Sequence, residues 1–238
     1  MRTHRLELED QNLREWDATV LAASPEGIVL DRSAFYPGGG GQPPDHGVLI
    51  WQGVETRIVG ARKGEEPELI PAEGDPIPVP GTTVRCAIAD ERRTALMRTH
   101  SALHVLCGVV FRDYGALVTG GNMEPYQARM DFNLTEVPPG FKQAVEDACN
   151  AEIAADRRIE VRMLPREQAF QIPDIIRTAK NLIPETVEIV RIVDIVGLDC
   201  QADAGTHVAS TKQIGRVRVA KIENKGKGFR RVRLEVTD

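Results

Sequence analysis

The chain has 238 residues, 42% of them hydrophobic, and a formal net charge of −5; this composition allows a packed core and excludes a largely disordered protein. Its four cysteines are widely spaced and form no Cys-x-x-Cys pair, which excludes a disulfide framework and a zinc site made of cysteines alone. The acidic balance argues against a general nucleic-acid binder, and no apolar run reaches the ~20 residues that span a bilayer, so we expect a cytoplasmic protein without membrane contacts.

The first third of the chain predicts short β-strands separated by glycine and proline. The predicted strands cover residues 18–21, 27–30, 48–51, 56–59 and 83–88. Strands of this length and spacing are typical of a small β-barrel or sandwich. The polar stretch from Gly64 to Gly81 is rich in proline and glutamate and predicts a long loop between strands.

This region also contains four consecutive glycines, namely Gly38, Gly39, Gly40 and Gly41. Because glycine loses more conformational entropy on folding than other residues, such a run indicates that bare backbone is needed. A hairpin turn, or the close approach of another surface or of phosphate, would need it. No Gly-Lys-Ser/Thr follows, and Pro43 and Pro44 block a helix start, so the segment is not a P-loop and we expect no nucleotide cofactor.

From about residue 90 the apolar pattern changes to a helical period that continues to residue 114. A second helix is predicted over residues 141–156, and strands over residues 159–163, 187–191 and 215–219. Because helices and strands mix here with few βαβ alternations, we predict an α+β fold with an antiparallel sheet. The predicted domains are a small N-terminal β-barrel-like domain, residues 1–90, and a larger α+β domain, residues 91–238.

Two histidines, His100 and His104, lie four residues apart on the first predicted helix. This spacing places both imidazoles on one face, where they can bind a single ion; packing or surface histidines are the alternative. Zinc peptidases need a glutamate directly after the first histidine, and Ser101 stands there instead. A peptidase is therefore disfavoured, and we expect Ser101 to face away from the pair or to cap the backbone locally.

A second candidate segment lies about a hundred residues further on and supplies Cys200, Asp203 and His207. Three histidines with one thiolate or carboxylate suit Zn²⁺, which takes nitrogen, sulfur and oxygen ligands tetrahedrally. The residue pattern leaves both Cys200 and Asp203 open as the fourth ligand. An ordinary loop histidine is the alternative for His207.

In this order, the glycine-rich and histidine motifs resemble those of the AlaX family, free-standing relatives of the editing domain of alanyl-tRNA synthetase. The resemblance spans nearly the whole chain and also rests on residues 13–15, 31–37, 120–122, 128–132, 204–208 and 224–228. The presence of a glycine-rich segment before the histidine helix resembles the medium-length class of that family. The resemblance implies an ATP-independent, zinc-dependent editing domain that deacylates mischarged tRNA(Ala), mainly seryl-tRNA(Ala), with glycyl-tRNA(Ala) as a further substrate.

The resemblance also implies roles for individual residues. The family's second zinc motif is Cys-x-x-x-His, but Asp203 stands four residues before His207; we therefore expect Asp203 to be the fourth ligand, with Cys200 reaching the ion only in a remodelled loop. Family pocket residues follow the histidine helix, so Thr119 and Asn122 become the candidate catalytic residues, although either can instead form a turn. A polar side chain in the pocket is needed to pair with the substrate hydroxyl, because only this hydroxyl distinguishes serine from alanine.

The C-terminal strands carry a local excess of positive charge. With the resemblance, this excess implies a tRNA partner whose phosphates meet Lys225, Lys227, Arg230 and Arg231, with an affinity that falls steeply with salt. A solvated sheet face is the alternative reading of the same charges.

Two other functions stay open from the sequence. One is a non-catalytic tRNA- or protein-binding module with a structural zinc, because four protein ligands leave no open position on the ion. The other is an editing enzyme with a different amino-acid specificity. For a catalytic zinc, activation of water and anchoring of the substrate are equally compatible with the residues, and oligomeric state is not predicted.

Overall fold

The computed structural model describes residues 3–64 and 66–238 and divides the chain into two compact units, Met1–Ala95 and Leu96–Asp238. In the first unit, the described residues form eight strands and a short 3-10 helix, Leu6–Leu8. The strands are β1 (His4–Arg5), β2 (Glu15–Ser24), β3 (Gly27–Leu30), β4 (Arg32–Ser33), β5 (Gly47–Trp51), β6 (Val54–Arg62), β7 (Glu68–Pro71) and β8 (Thr83–Ile88). Strands β1 and β4 pair with each other, and the other six close into a barrel.

The barrel has the strand order β2-β3-β7-β6-β5-β8 and confirms the predicted β-barrel architecture. The prediction that the whole stretch from Gly64 to Gly81 is a loop is wrong, because β7 lies inside it. This strand pairs with β3 and β6 and buries Leu69 and Pro71. Without it, β3 and β6 would each present an unpaired edge. The residues of Glu68–Pro71 favour a loop by themselves, but they form a strand because the barrel closes through them.

Helix α1 (Asp90–Tyr114) begins in the first unit and continues into the second, where two antiparallel sheets have the orders β14-β15-β10-β9 and β11-β12-β13. This arrangement confirms the predicted α+β class. None of the helices in the described ranges is long and apolar enough to cross a membrane. The remaining elements are β9 (Val118–Glu124), β10 (Gln127–Phe132), α2 (Phe141–Ala154), β11 (Ile159–Pro165), α3 (Arg166–Ala169), β12 (Ile189–Ile195), β13 (Asp199–Ala202), a 3-10 helix (Thr211–Ile214), β14 (Arg216–Asn224) and β15 (Arg230–Thr237).

Helix α1 is buried on all sides over three turns, since every residue from Thr99 to Val110 is buried. Its apolar residues, such as Leu106 and Val109, join the largest hydrophobic core of the second unit. The polar side chains of a helix buried on all sides cannot hydrogen-bond to bulk water. They must then pair with protein groups or with a ligand. The buried polar residues of this stretch are Thr99, His100, Ser101 and His104.

Gly108 allows the turn between β12 and β13 to lie directly against α1. A Cβ atom at Gly108 would lie 2.8 Å from Leu198 Cγ and 3.0 Å from Asp199 Cβ. We expect Gly108→Ala to lower the free energy of unfolding by about 1–3 kcal/mol, because overpacking must displace the turn. Urea unfolding followed by circular dichroism measures the change. The control is Gly121→Ala, where the nearest atom is 3.7 Å away; equal stability of the two variants would contradict the close-packing argument.

Candidate metal centre

Four buried or half-buried side chains from two distant segments meet beside α1. His100 and His104 come from the helix, and Asp203 and His207 from the loop that follows β13. One potential ligand atom from each lies within 4.8 Å of all the others. The three imidazole rings have centroids 4.4–5.1 Å apart. The residues that the sequence singled out in two separate motifs therefore form one cluster that can hold a metal ion.

Cys200 lies outside this cluster because of the alternation of side chains along β13. Successive residues of a strand point to opposite faces. Cys200 and Ala202 pack against a small apolar cluster that contains Ile175 and Ile192, whereas Asp203 follows the end of the strand. Burial also raises the pKa of the Cys200 thiol, which disfavours the thiolate that binds metals.

The Asp203 carboxylate is held by its own loop. Its Oδ2 accepts a hydrogen bond of 2.6 Å from the Gly205 amide and lies 3.2 Å from His207 Nε2, while Oδ1 lies 3.7 Å from His100 Nε2. Arg191 donates to the Asp203 carbonyl oxygen over 3.0 Å. Although burial raises the pKa of Asp203, the neighbouring histidines outweigh it and hold this pKa well below its usual range. The side chain is thus an anionic ligand at neutral pH.

The histidines supply mostly neutral nitrogen ligands. Burial lowers the pKa of His100 to about 4, with the neighbouring His104 adding to the effect against the opposing Asp203. Burial, His100 and His104 lower the pKa of His207 well below its usual value. For His104 the carboxylates of Asp199 and Asp203 outweigh burial, so its pKa is raised. Imidazole nitrogens with one carboxylate are a donor set that Zn²⁺ accepts, so the residues present fit the ion.

Ser101 contacts the cluster, so the prediction that it faces away or caps the backbone locally is wrong. Its Oγ lies 3.1 Å from His207 Nδ1 and accepts a hydrogen bond of 3.2 Å from the Val208 amide. The side chain is fully buried. Because α1 has no solvent-facing side at this level, the hydroxyl finds its partner in the loop that carries His207.

Asp199 is a residue at the cluster that the sequence patterns did not single out. Its Oδ2 lies 3.3 Å from His104 Nδ1, and the side chain is buried. The available signal was a charged residue at the start of the second candidate segment, four residues before Asp203. Such a residue is buried only when it is paired, but its partner lies on another element and is not visible in the sequence.

Thr119 and Asn122, the expected substrate contacts, lie on β9. Both side chains are exposed, unlike the histidines. Asn122 is opposite Arg129 of β10, and Thr119 lies where the register of the two strands shifts. Their proposed roles stay predictions.

The cationic residues at the C terminus divide into two kinds. Lys225 and Lys227 are exposed in the turn between β14 and β15. Arg230 donates to the carbonyl oxygen of Thr135 over 2.9 Å, and Arg231 makes two hydrogen bonds of 2.7 and 2.8 Å to Asp131. The two arginines thus stabilise the sheet, while the two lysines extend from it.

In the first unit, the four glycines form a tight turn. All four have positive φ, with values of 88°, 130°, 58° and 90° for Gly38, Gly39, Gly40 and Gly41, a region that disfavours other residues. The Tyr36 hydroxyl donates to the Gly39 carbonyl oxygen over 2.9 Å. The turn is anchored by Asp45, whose Oδ2 accepts a hydrogen bond of 2.7 Å from the Tyr36 amide.

Known proteins match this chain over nearly its whole length. Residues 190–233 match the family model of the second additional domain of threonyl and alanyl tRNA synthetases. Over 233 residues the chain is 37% identical to the alanyl-tRNA editing protein AlaX-M of Saccharolobus solfataricus, with 97% of each chain covered. It is 34% identical to the AlaX-M protein of Methanosarcina mazei, with 99% and 97% covered. An alanine-tRNA ligase of Thermofilum pendens is also 34% identical, over 97% of this chain and 26% of the ligase.

Proposed function

Because the chain belongs to the AlaX family of alanyl-tRNA editing proteins, we propose that it is a zinc-dependent hydrolase that deacylates mischarged tRNA(Ala) in the cytoplasm. Seryl-tRNA(Ala) is its main proposed substrate and glycyl-tRNA(Ala) a further one. The observation that carries this proposal is the buried cluster of His100, His104, Asp203 and His207. The family match supports it, since the matched residues 190–233 include Asp203 and His207.

In the proposed reaction, water attacks the ester carbonyl that joins the amino acid to the terminal ribose. The ester C–O bond breaks, the amino acid leaves as a carboxylate, and the ribose oxygen recovers a proton. His100, His104, Asp203 and His207 would hold a zinc ion, whose charge would polarise the ester carbonyl when the ion is bound. Gly205 and Arg191 keep the Asp203 side of the cluster in place, and Ser101 keeps the ring of His207 in place.

Discrimination between serine and alanine requires a group that pairs with the serine hydroxyl. A site that must hydrogen-bond this hydroxyl rejects the smaller analogue by about 10⁴–10⁵-fold, whereas size alone cannot exclude it. We assign this role to Thr119 and Asn122, whose side chains offer a hydroxyl and an amide on the exposed face of β9.

The test is release of the amino acid from seryl-, glycyl- and alanyl-tRNA(Ala) by the purified protein. The expected result is rapid release of serine and retention of alanine, with loss of activity after chelation and recovery when zinc is added. Stoichiometric zinc binding without any release of serine would instead favour a binding module with a structural zinc. Faster hydrolysis of another aminoacyl-tRNA would indicate a different specificity.

The proposed tRNA contact at Lys225 and Lys227 leads to a salt-dependent prediction. We expect the Lys225→Ala, Lys227→Ala double variant to bind tRNA more weakly, with a slope of log affinity against log salt that is shallower by about 1–2, because two phosphate contacts are lost. Filter binding at several salt concentrations measures the slope. The matched control replaces both lysines with arginine, which keeps the charge. An alanine variant with an unchanged slope would exclude this turn as a phosphate contact.

A further inference from the structure

Asp199 is a buried carboxylate directly behind one of the cluster histidines. Its side chain has 0% exposure, and Oδ2 lies 3.3 Å from Nδ1 of His104. An ionised carboxylate is costly to bury unless charge and hydrogen bonds compensate it. A buried carboxylate such as Asp199 therefore depends on its contacts. One of these contacts is with the ring of His104, a proposed metal ligand.

Two other side chains fix the orientation of this carboxylate. Arg177 donates from Nε to Asp199 Oδ1 over 3.1 Å, and Gln201 donates from Nε2 to Oδ2 over 2.6 Å. The Arg177 guanidinium is itself stacked on the ring of Phe111 in α1, with its Cζ atom 3.9 Å from the ring centroid. Each carboxylate oxygen thus has its own donor, and rotation of the group would break both hydrogen bonds.

The Nδ1 atom of His207 also lies close to a polar side chain. Its Nδ1 lies 3.1 Å from Ser101 Oγ, and its Nε2 lies 3.2 Å from Asp203 in the cluster. A histidine whose Nδ1 is engaged in this way presents Nε2 to an ion. In His104, Nδ1 is turned to Asp199, which leaves Nε2 as the ring nitrogen for the metal. Metal-bound histidines commonly donate their second N–H to a carboxylate, which fixes the tautomer and the ring orientation.

We propose that Asp199 is a positioning residue that accepts a hydrogen bond from Nδ1–H of His104 and so holds His104 with an unprotonated Nε2 toward the metal. This inference rests on the zinc site of the proposed function. Asp199 is not one of the four cluster ligands, and it acts through His104 without contact to substrate. Arg177 and Gln201 support it, and Gly108 leaves the space in which its Cβ lies against α1.

The first experiment measures zinc affinity by competition with a chromophoric chelator. We expect Asp199→Asn to weaken zinc binding by about 10–100-fold, the usual effect of losing an outer-sphere partner. The matched control is Asp194→Asn on neighbouring β12, which removes a half-buried carboxylate paired with Arg162 outside the cluster and should change the affinity less than twofold. If folded Asp199→Asn protein binds zinc as tightly as the wild type, the inference is wrong.

A second measurement needs no variant and so does not depend on the stability of Asp199→Asn. Long-range ¹H–¹⁵N correlation spectra of the wild-type protein loaded with zinc report which nitrogen of His104 carries the proton. The proposal requires the proton on Nδ1, and a proton on Nε2 overturns it.

The same experiments separate this inference from the proposed function. Zinc binding that depends on Asp199, in a protein that releases no serine from seryl-tRNA(Ala), supports the positioning role and contradicts the hydrolase. If Asp199→Asn changes neither serine release nor zinc affinity, the hydrolase is supported and the positioning role is overturned. A wild-type protein that binds no zinc contradicts both.

Discussion

We expect the His207→Ala protein to lose its zinc ion and to release serine from seryl-tRNA(Ala) about 10³-fold more slowly, since a bound metal contributes several kcal/mol of transition-state stabilisation. The ring of His207 is central to the cluster, with centroids 4.4 and 4.6 Å from those of His100 and His104. Its removal takes one of the four candidate ligands from the ion and leaves a gap beside the Asp203 carboxylate, so zinc should be held more weakly. Metal content per chain and single-turnover deacylation measure the two effects.

Two further variants test which residue is the fourth ligand. Asp203→Ala should lose zinc as His207→Ala does, whereas Cys200→Ser should keep both zinc and activity, because Cys200 packs with Ile175 and Ile192 away from the histidines. Loss of zinc in Cys200→Ser with retention in Asp203→Ala would show that the loop is remodelled around the metal. Retention of full activity by a zinc-free His207→Ala protein would contradict metal-dependent hydrolysis.

The second large effect is expected for Arg93→Met, which should lower the free energy of unfolding by about 3–5 kcal/mol. Arg93 and Asp45 form an ion pair in which both side chains have 0% exposure. Arg93 also donates to the carbonyl oxygens of Gln11 and Ala34 over 2.8 and 2.6 Å. The variant leaves an unpaired carboxylate and unsatisfied carbonyl groups inside the protein, and the glycine turn loses the partner of its anchor Asp45.

Urea unfolding of Arg93→Met is compared with that of Arg85→Met. Arg85 pairs with Glu15 on the barrel surface, where both side chains are more than half exposed, so its loss should cost less than about 1 kcal/mol. Equal losses in the two variants would mean that burial of the Arg93–Asp45 pair does not matter for stability.

Much of the fold was predictable because its signals are local. Strands β3 and β8 and helix α1 have the predicted bounds, since apolar periodicity and flanking glycine or proline determine them from neighbouring residues. The second predicted helix ends two residues early, at Ala154, and the strand predicted at 187–191 lies at Ile189–Ile195. Strand β7 was not predicted, because it forms only where two other strands need a partner.

In the candidate site, too, local signals were predictable and contacts between distant segments were not. The sequence by itself indicated the pair His100 and His104 through helical spacing, while the choice of Asp203 with His207 came from the resemblance to the second zinc motif of the family. The tertiary structure alone decided that the two segments meet, that Cys200 lies on the other face of β13, and that Ser101 and Asp199 lie beside His207 and His104. The Ser101–His207 contact joins residues 106 positions apart. Such contacts depend on the packing of whole elements, which local patterns do not encode.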